Sequence, residues 1–324
     1  MASTLNEIKA PIKEELKKFE EFFKESMKSN VALLDKITYY IVQKKGKQMR
    51  PMFVFLAAKL CGEVNHSTYV ASSLVELVHT ASLVHDDVVD DSAERRGFFS
   101  INALWKNKIA VIVGDFLLTQ GLHIALDNKQ YAMLHILSDS VKKLAEGELL
   151  QLEKARRLDI DESVYYEIIR QKTASLIASA CSVGAASATN DQKKIDLLCQ
   201  IGEKIGMAFQ IKDDLFDYGD KNVGKPRGID IKEKKMTLPL IYALAHADTS
   251  KKKAIINDIK KNSTDPEKVR EIIKYVHSSG GIEYATEVML RYQNEAIELL
   301  HQFPPGEARD SIENLIMYVT SRQK

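Results

Sequence analysis

The chain has little glycine and proline, 15 and 7 in 324 residues. It therefore lacks the punctuation that a fold of many short strands and tight turns requires, and long helices are the alternative. Cysteine is nearly absent. Cys61, Cys181 and Cys199 stand far apart with no CxxC pair, which excludes a metal knuckle by spacing, and an odd count suits a reducing compartment. Neither charge is in excess, with 46 Lys+Arg against 45 Asp+Glu. No global field points to nucleic acid or to an anionic membrane, so any basic site must be local. No uninterrupted apolar run reaches the length of a membrane span. The opening stretch, MASTLNEIKAPIKEELKKFEEFF, is charged and helix-periodic rather than a signal peptide. These absences favour a cytoplasmic protein, and a hydrophobic share of 45% supplies a sizeable core.

What is present is helical periodicity. Leu74, Val75, Val78 and Ala81 form one stripe of a helix over 68–90. Val141, Leu144, Leu149 and Leu152 mark a second over 134–155, and Ile195, Leu198, Ile201 and Ile205 a third over 192–218. Several such helices are apolar around much of their circumference, as buried members of a bundle are. Breaks fall at 46–51, 95–100, 219–236, 262–266 and 303–306. None has the length of a flexible linker, and no fixed-period repeat occurs. Residues 1–324 thus read as one all-α domain, a single helical bundle, with the first turns free to pack on a partner subunit. The charged stretch 217–235 reads as a mobile flap.

Two helix ends carry an excess of negative charge. In LVHDDVVDDSAERRG, Asp86 and Asp90 are four apart and share a helical face, with Asp87 beside them. In FQIKDDLFDYGD, Asp213 and Asp217 repeat the spacing with Asp214. Both clusters close a long apolar stretch. A helix C-terminus is already partly negative, and like charges at i,i+4 repel by a further few tenths of a kcal/mol, roughly. The same unfavourable arrangement at two helix ends invites a compensating cation. Clustered carboxylates are hard oxygen ligands suited to magnesium, which keeps waters and shares the rest of its shell with substrate phosphates. One cluster alone could be a solvated acidic helix end. Two, each after an apolar helix, favour metal: Asp86, Asp87, Asp90, Asp213, Asp214 and Asp217.

Local basic groups accompany them. Arg95 and Arg96 follow the first cluster at once. KKGKQMRP sets Lys47 and Arg50 in a glycine-led loop or helix start, where free N–H groups also favour anions. Lys172 and Thr173 form a polar pair inside the apolar RQKTASLIASA, and Lys225 and Lys235 sit in the stretch after the second cluster. Arginine suits bidentate phosphate contact and lysine supplies point charge. Any one of these alone would be an ordinary surface charge.

The ordered motifs GKQMRP (46–51), HDDVVDDSAERRG (85–97), QKTASL (171–176), FQIKDDLFDYGD (209–220) and GKPRGIDIKEKKMTLPL (224–240) resemble those of the trans-isoprenyl diphosphate synthase family across nearly the whole chain. The resemblance implies the isoprenoid synthase fold, a helical bundle around a central substrate cavity, and a homodimer. It implies that isopentenyl diphosphate is joined to an allylic diphosphate with three magnesium ions. By the same resemblance, Asp86, Asp87, Asp90 and Asp213 are metal ligands, and Asp214 and Asp217 support Asp213 directly or through water. Arg95, Lys172 and Lys235 contact the allylic diphosphate. Lys47, Arg50, His79 and Arg96 bind isopentenyl diphosphate. Thr173 and Gln210 lie near the reacting carbons, and Lys225 touches phosphate from the flap. Arg322 and Lys324 resemble the closing basic tail of some members. His85 is expected to be structural.

The implied chemistry ionises the allylic diphosphate, adds the isopentenyl double bond to the cation, and loses a proton to the released diphosphate, with the flap excluding water. Short-product members commonly carry an aromatic residue four or five positions before the first aspartate. Here those positions are Ala81 and Ser82, with Val78 below, so a product longer than farnesyl diphosphate, of the kind used in quinone side chains, is expected to pass. Phe116, Leu117 or residues near Leu122 are candidates for a deeper floor. A shorter-chain synthase, a terpene cyclase or squalene-type synthase, and a non-catalytic partner subunit are the rival readings; the last usually lacks one cluster or its basic ligands.

Overall fold

Helices that begin on capping residues and are joined by short turns account for nearly all of this chain. The computed structural model describes residues 4–43, 46–95, 97–219 and 228–322, with only the backbone at Arg95. Arg96, Lys225, Lys324 and the Arg95 side chain lie outside the described residues. A capping box of Thr4 and Glu7 starts α1 (Leu5–Lys9), and a 3₁₀ turn at Ala10–Ile12 leads into α2 (Lys13–Ser26). There follow α3 (Ala32–Gln43), α4 (Met49–Cys61), α5 (His66–Val89), α6 (Ile101–Asp127) and α7 (Tyr131–Arg157). After α8 (Glu162–Ile169), one π-helical turn, Arg170–Ala174, runs into α9 (Ser175–Ala188), and α10 (Gln192–Phe216) comes next. The last third holds α11 (Ile229–Lys232), α12 (Leu238–Ala245), α13 (Thr249–Asn262), α14 (Pro266–Ser278), α15 (Gly281–Leu300) and α16 (Glu307–Ser321).

The expected all-α architecture is present, with one addition. Residues 95–100, read as a simple break, include a two-residue antiparallel ribbon that pairs Glu94 with Phe99 and Arg95 with Phe98. The break at 46–51 is also shorter than expected. Met49 already starts α4, and Pro51 sits in its first turn, where the missing N–H costs nothing.

The centre of the bundle is α9, whose small residues (SLIASACSVGAASA) are buried almost without exception. Small side chains let neighbouring helices come close. α9 packs against α4, α5, α7 and α10, and so sits between the two helices whose C-terminal ends carry the acidic clusters. One apolar cluster unites α1, α2, α4, α5, α9, α10 and α16; a second joins α8, α10, α12, α13, α14 and α15; a third lies between α3, α5 and α6.

α6 holds no uninterrupted apolar run of membrane length, in keeping with the sequence, but its 27 residues have a mean hydropathy of 1.8 over the most apolar window. Its polar interruptions, Lys106, Lys108 and Asp115, are too few to lower that mean. One face of α6 (Ala110, Val113, Leu117) is buried against α5, while Leu104, Val111, Ile112, Leu122 and Leu126 stand exposed along the other. That makes α6 a bundle helix with an uncovered apolar stripe.

Candidate active site

The first cluster occupies the last turn of α5. Asp86 is half-buried, Asp87 is buried, and Asp90, the C-cap, is exposed. The chain is held in its turn away from the helix by backbone acceptance at Asp87, which receives the Ser92 N–H at 2.9 Å and the Asn102 side-chain amide at 3.1 Å. Ser100 Oγ adds a bond to the Ser92 carbonyl at 2.6 Å. No basic residue lies in the last turn of α5 to offset the helix dipole.

The second cluster ends α10, and its three acids have different surroundings. Asp213 is partly exposed and pairs with the guanidinium of Arg322, which also stacks on Phe209 with its centre 4.1 Å from the ring centroid. Asp214 is buried. Its Oδ2 accepts from the Tyr165 hydroxyl at 2.7 Å and its Oδ1 from the Gln210 amide at 2.9 Å. Burial, and then the charge of Asp230, hold its carboxyl well above the usual carboxylate range despite those two donors. Asp217 accepts the backbone N–H groups of Ile229 (2.8 Å) and Asp230 (3.2 Å), and so caps α11. Asp213 is thus the acid of this cluster best placed to give an oxygen to an ion.

Lys172 and Thr173 lie on the π-helical turn, a local widening that recurs at functional sites. Two glycines let other helices press against it. A Cβ on Gly147 of α7 would come within 2.8 Å of Gln171 Cβ, and one on Gly206 of α10 within 2.4 Å of Ala174 Cα. Lys172 pairs there with Glu148 of α7, and the Thr173 hydroxyl donates to Gln210 Oε1 at 2.8 Å.

Lys235 follows α11. Burial works against its charge, but the hydrogen bond it donates to Glu233 and the charges of Glu233, Asp230 and Asp90 outweigh it and hold the ammonium's pKa above the ordinary lysine value. Lys235 thus feels charge from both acidic ends, Asp230 beside the second cluster and Asp90 in the first.

A cavity of about 420 Å³ borders the first cluster at Asp87 and meets the second through Arg322, which pairs with Asp213. The three residues assigned by resemblance to isopentenyl diphosphate and described here, Lys47, Arg50 and His79, all line it, and so do Asp87 and Arg322. Lys47 Nζ donates to the Tyr318 hydroxyl at 3.0 Å, and Arg50 opens α4. The far wall is aromatic, with Phe19, Phe23, Tyr40 and Phe53, and Phe98 and Phe99 of the ribbon form its rim.

The α5 residues that line this cavity are Glu76, His79, Thr80, Leu83, Val84 and Asp87. Val78, Ala81 and Ser82 are not among them. Val78 and Ala81 are both 3% exposed, Ala81 in the α5–α6 cluster with Ala110 and Leu117, and Ser82 Oγ donates to the His79 carbonyl at 2.8 Å. Leu117 is buried and Phe116 half-buried against that cluster. Leu122 is exposed on the outer face of α6. The His85 ring lies against Gly114, with Nε2 3.3 Å from Asp115 Oδ1.

Sequence reasoning missed Tyr165 and Asp230. Neither belongs to a spaced cluster, and both acquire their electrostatic neighbours only through folding, Tyr165 from 49 residues away. The donors available to a metal are carboxylate oxygens on both sides of the mouth. Among the described residues no three acidic or histidine side chains converge as a ready-made cage. An ion there would complete its shell with water and diphosphate oxygens, and the donor set fits magnesium for that reason.

The polyprenyl synthetase family model matches residues 31–276. The chain is 34% identical over 320 residues, 98% of its length and 97% of the relative's, to the geranyl-diphosphate-specific all-trans-nonaprenyl-diphosphate synthase of Rhodobacter capsulatus. It superposes with a TM-score of 0.93 and 31% identity on a polyprenyl synthase of Caulobacter crescentus complexed with calcium and isoprenyl diphosphate, covering 100% of this chain and 99% of the other. A geranylgeranyl pyrophosphate synthase from Bacteroides thetaiotaomicron is 37% identical with a TM-score of 0.84, covering 98% of this chain and 99% of the other.

Proposed function

This chain belongs to the polyprenyl synthetase family, and we propose that it is a prenyl transferase that condenses isopentenyl diphosphate with an allylic diphosphate. The observation that carries the reading is a cavity lined by Lys47, Arg50 and His79 that the first acidic helix end reaches through Asp87 and the second through Arg322, the partner of Asp213. The allylic diphosphate lies between the clusters, held through metal by Asp86, Asp87, Asp90 and Asp213, and directly by Lys172, Lys235 and Arg95. Isopentenyl diphosphate takes the cavity, with Arg96 added from outside the described residues. Lys225 belongs to the same diphosphate-contacting set.

Magnesium, three ions by family likeness, when bound would neutralise the diphosphate and favour its departure. The chain's own residues prepare that step. Glu148 and Glu233 hold Lys172 and Lys235 at fixed points by ion pairing. Thr173 and Gln210 offer oxygen atoms to the allylic cation. Aromatic walls around the isopentenyl tail keep water from competing with the double bond.

The product is longer than farnesyl diphosphate, supported by the small residues Ala81 and Ser82 and by likeness to a nonaprenyl synthase. Ala81→Phe is expected to shorten the product while activity persists, at an overpacking cost of about 1–3 kcal/mol. Chromatography of the products, with a melting curve alongside, checks this; unchanged length would put the growing chain elsewhere. A geranylgeranyl-length product is the second reading, favoured by the 37% identical Bacteroides structure. Product lengths from a farnesyl primer separate the two.

The protein acts as a cytoplasmic homodimer with the exposed stripe of α6 as its interface. A second copy is the natural cover for an apolar face of this length. Ile112→Asp, which charges the middle of the stripe, should turn a dimer into a monomer in light scattering. A wild-type monomer at micromolar concentration would contradict this.

A further inference from the structure

Tyr165 belongs to no sequence motif, yet it starts a chain of hydrogen bonds that ends at the oxygens placed next to the allylic cation in the reading above, on which this inference rests. The phenol, 3% exposed, donates to Asp214 Oδ2 at 2.7 Å. Gln210 Nε2 donates to Asp214 Oδ1 at 2.9 Å, and the Thr173 hydroxyl donates to Gln210 Oε1 at 2.8 Å. Three elements are joined: α8, α10 and the π-helical turn.

The direction of this chain has chemical content. With Asp214 Oδ1 accepting from Gln210 Nε2 and Oδ2 from the Tyr165 hydroxyl, the Gln210 amide turns its NH₂ towards Asp214 and its carbonyl oxygen towards Thr173. Thr173 has one proton, and it is spent on that oxygen. Two oxygens then stand 2.8 Å apart with lone pairs left over and no N–H between them. Turned the other way, the amide would show the same region a positive NH₂ edge, which repels a carbocation. We propose that Tyr165 and Asp214 form an orienting relay that keeps the Gln210 amide oxygen-first towards the allylic cation. Tyr165 is a positioning residue for the reaction, and Asp214 anchors the relay instead of ligating metal.

The test compares Tyr165→Phe, Asp214→Asn, Thr173→Val and the control Tyr166→Phe, whose lost hydroxyl bonds Glu162 on the same helix. Three quantities are measured: kcat and KM for each diphosphate with magnesium, the ratio of allylic alcohol to condensed product, and Mn²⁺ affinity without substrate. Tyr165→Phe should lower kcat about tenfold with both KM values within about twofold, and raise the alcohol ratio about tenfold as water captures a poorly held cation. Mn²⁺ affinity should stay within about twofold for Tyr165→Phe and Asp214→Asn. Tyr166→Phe should change nothing. Asp214→Asn carries the test if the phenylalanine variant does not fold.

An unchanged alcohol ratio in Thr173→Val would overturn the underlying placement of Thr173 and Gln210. A shift in Thr173→Val without one in Tyr165→Phe would overturn the relay alone. A large loss of Mn²⁺ binding in Asp214→Asn would make Asp214 a ligand. Equal effects of Tyr165→Phe and Tyr166→Phe would reduce both to helix packing.

Discussion

Asp213→Ala is expected to lower the condensation rate by about 10²–10³ with little change in melting temperature. The kinetic size is that of removing one preorganised electrostatic group from a site where charge develops as the bond breaks. The small effect on stability follows from the surroundings. The Asp213 side chain is 42% exposed, and a partly solvated ion pair such as the one it makes with Arg322 is worth about 0–1 kcal/mol. Arg322 keeps its stacking on Phe209 when the acid is gone. Steady-state kinetics and a melting curve on the same preparation check both halves. A variant that unfolds would mean that Asp213 is structural, and a fully active one that the second cluster does not act on the diphosphate.

Gly206→Val is expected to damage stability and activity together. Two effects oppose each other. Glycine inside a helix costs about 1 kcal/mol relative to alanine, and a β-branched residue recovers only part of that. Against this gain, even the first added carbon would sit 2.4 Å from Ala174 Cα and 2.7 Å from its Cβ. Those atoms belong to the π-helical turn and cannot rotate away. Overpacking of this kind costs about 1–3 kcal/mol, so the clash wins. At about 2–4 °C per kcal/mol for a domain of 150–250 residues, the melting temperature should fall by several degrees. Relief comes only by pushing α10 away from the turn, which moves Gln210 and Asp213 relative to Thr173 and Lys172. A displacement of about 1 Å can cost about 10² in rate. Normal activity in a destabilised variant would show that the spacing between α10 and the turn does not matter to the chemistry.

Much of this molecule is visible in its sequence because helical periodicity and acidic spacing are local signals. The stripe Leu74–Ala81 and the stripe Ile195–Ile205 place α5 and α10 within two residues of their observed ends. The i,i+4 aspartates then mark where both helices stop. What the sequence does not carry is how each acid is used. Asp213, Asp214 and Asp217 look alike in DDLFD, yet one pairs with Arg322, one is buried under Tyr165, and one caps α11. Those differences come from contacts across 12 to 109 residues. The π-helical turn is equally hidden, because RQKTA has the composition of an ordinary helix and the widening shows only against Gly147 and Gly206. α6 is hidden for a related reason. Scattered charges break its apolar runs in the sequence, while its mean hydropathy stays high enough to span a bilayer.

The central claim is tested most directly by incubating the purified chain with labelled isopentenyl diphosphate and farnesyl diphosphate, with magnesium and with excess chelator. The account predicts label in a lipophilic prenyl diphosphate in the presence of magnesium, and background counts once the chelator removes the metal. No incorporation with magnesium from farnesyl, geranyl or geranylgeranyl primers, or incorporation that persists unchanged under chelation, would contradict it.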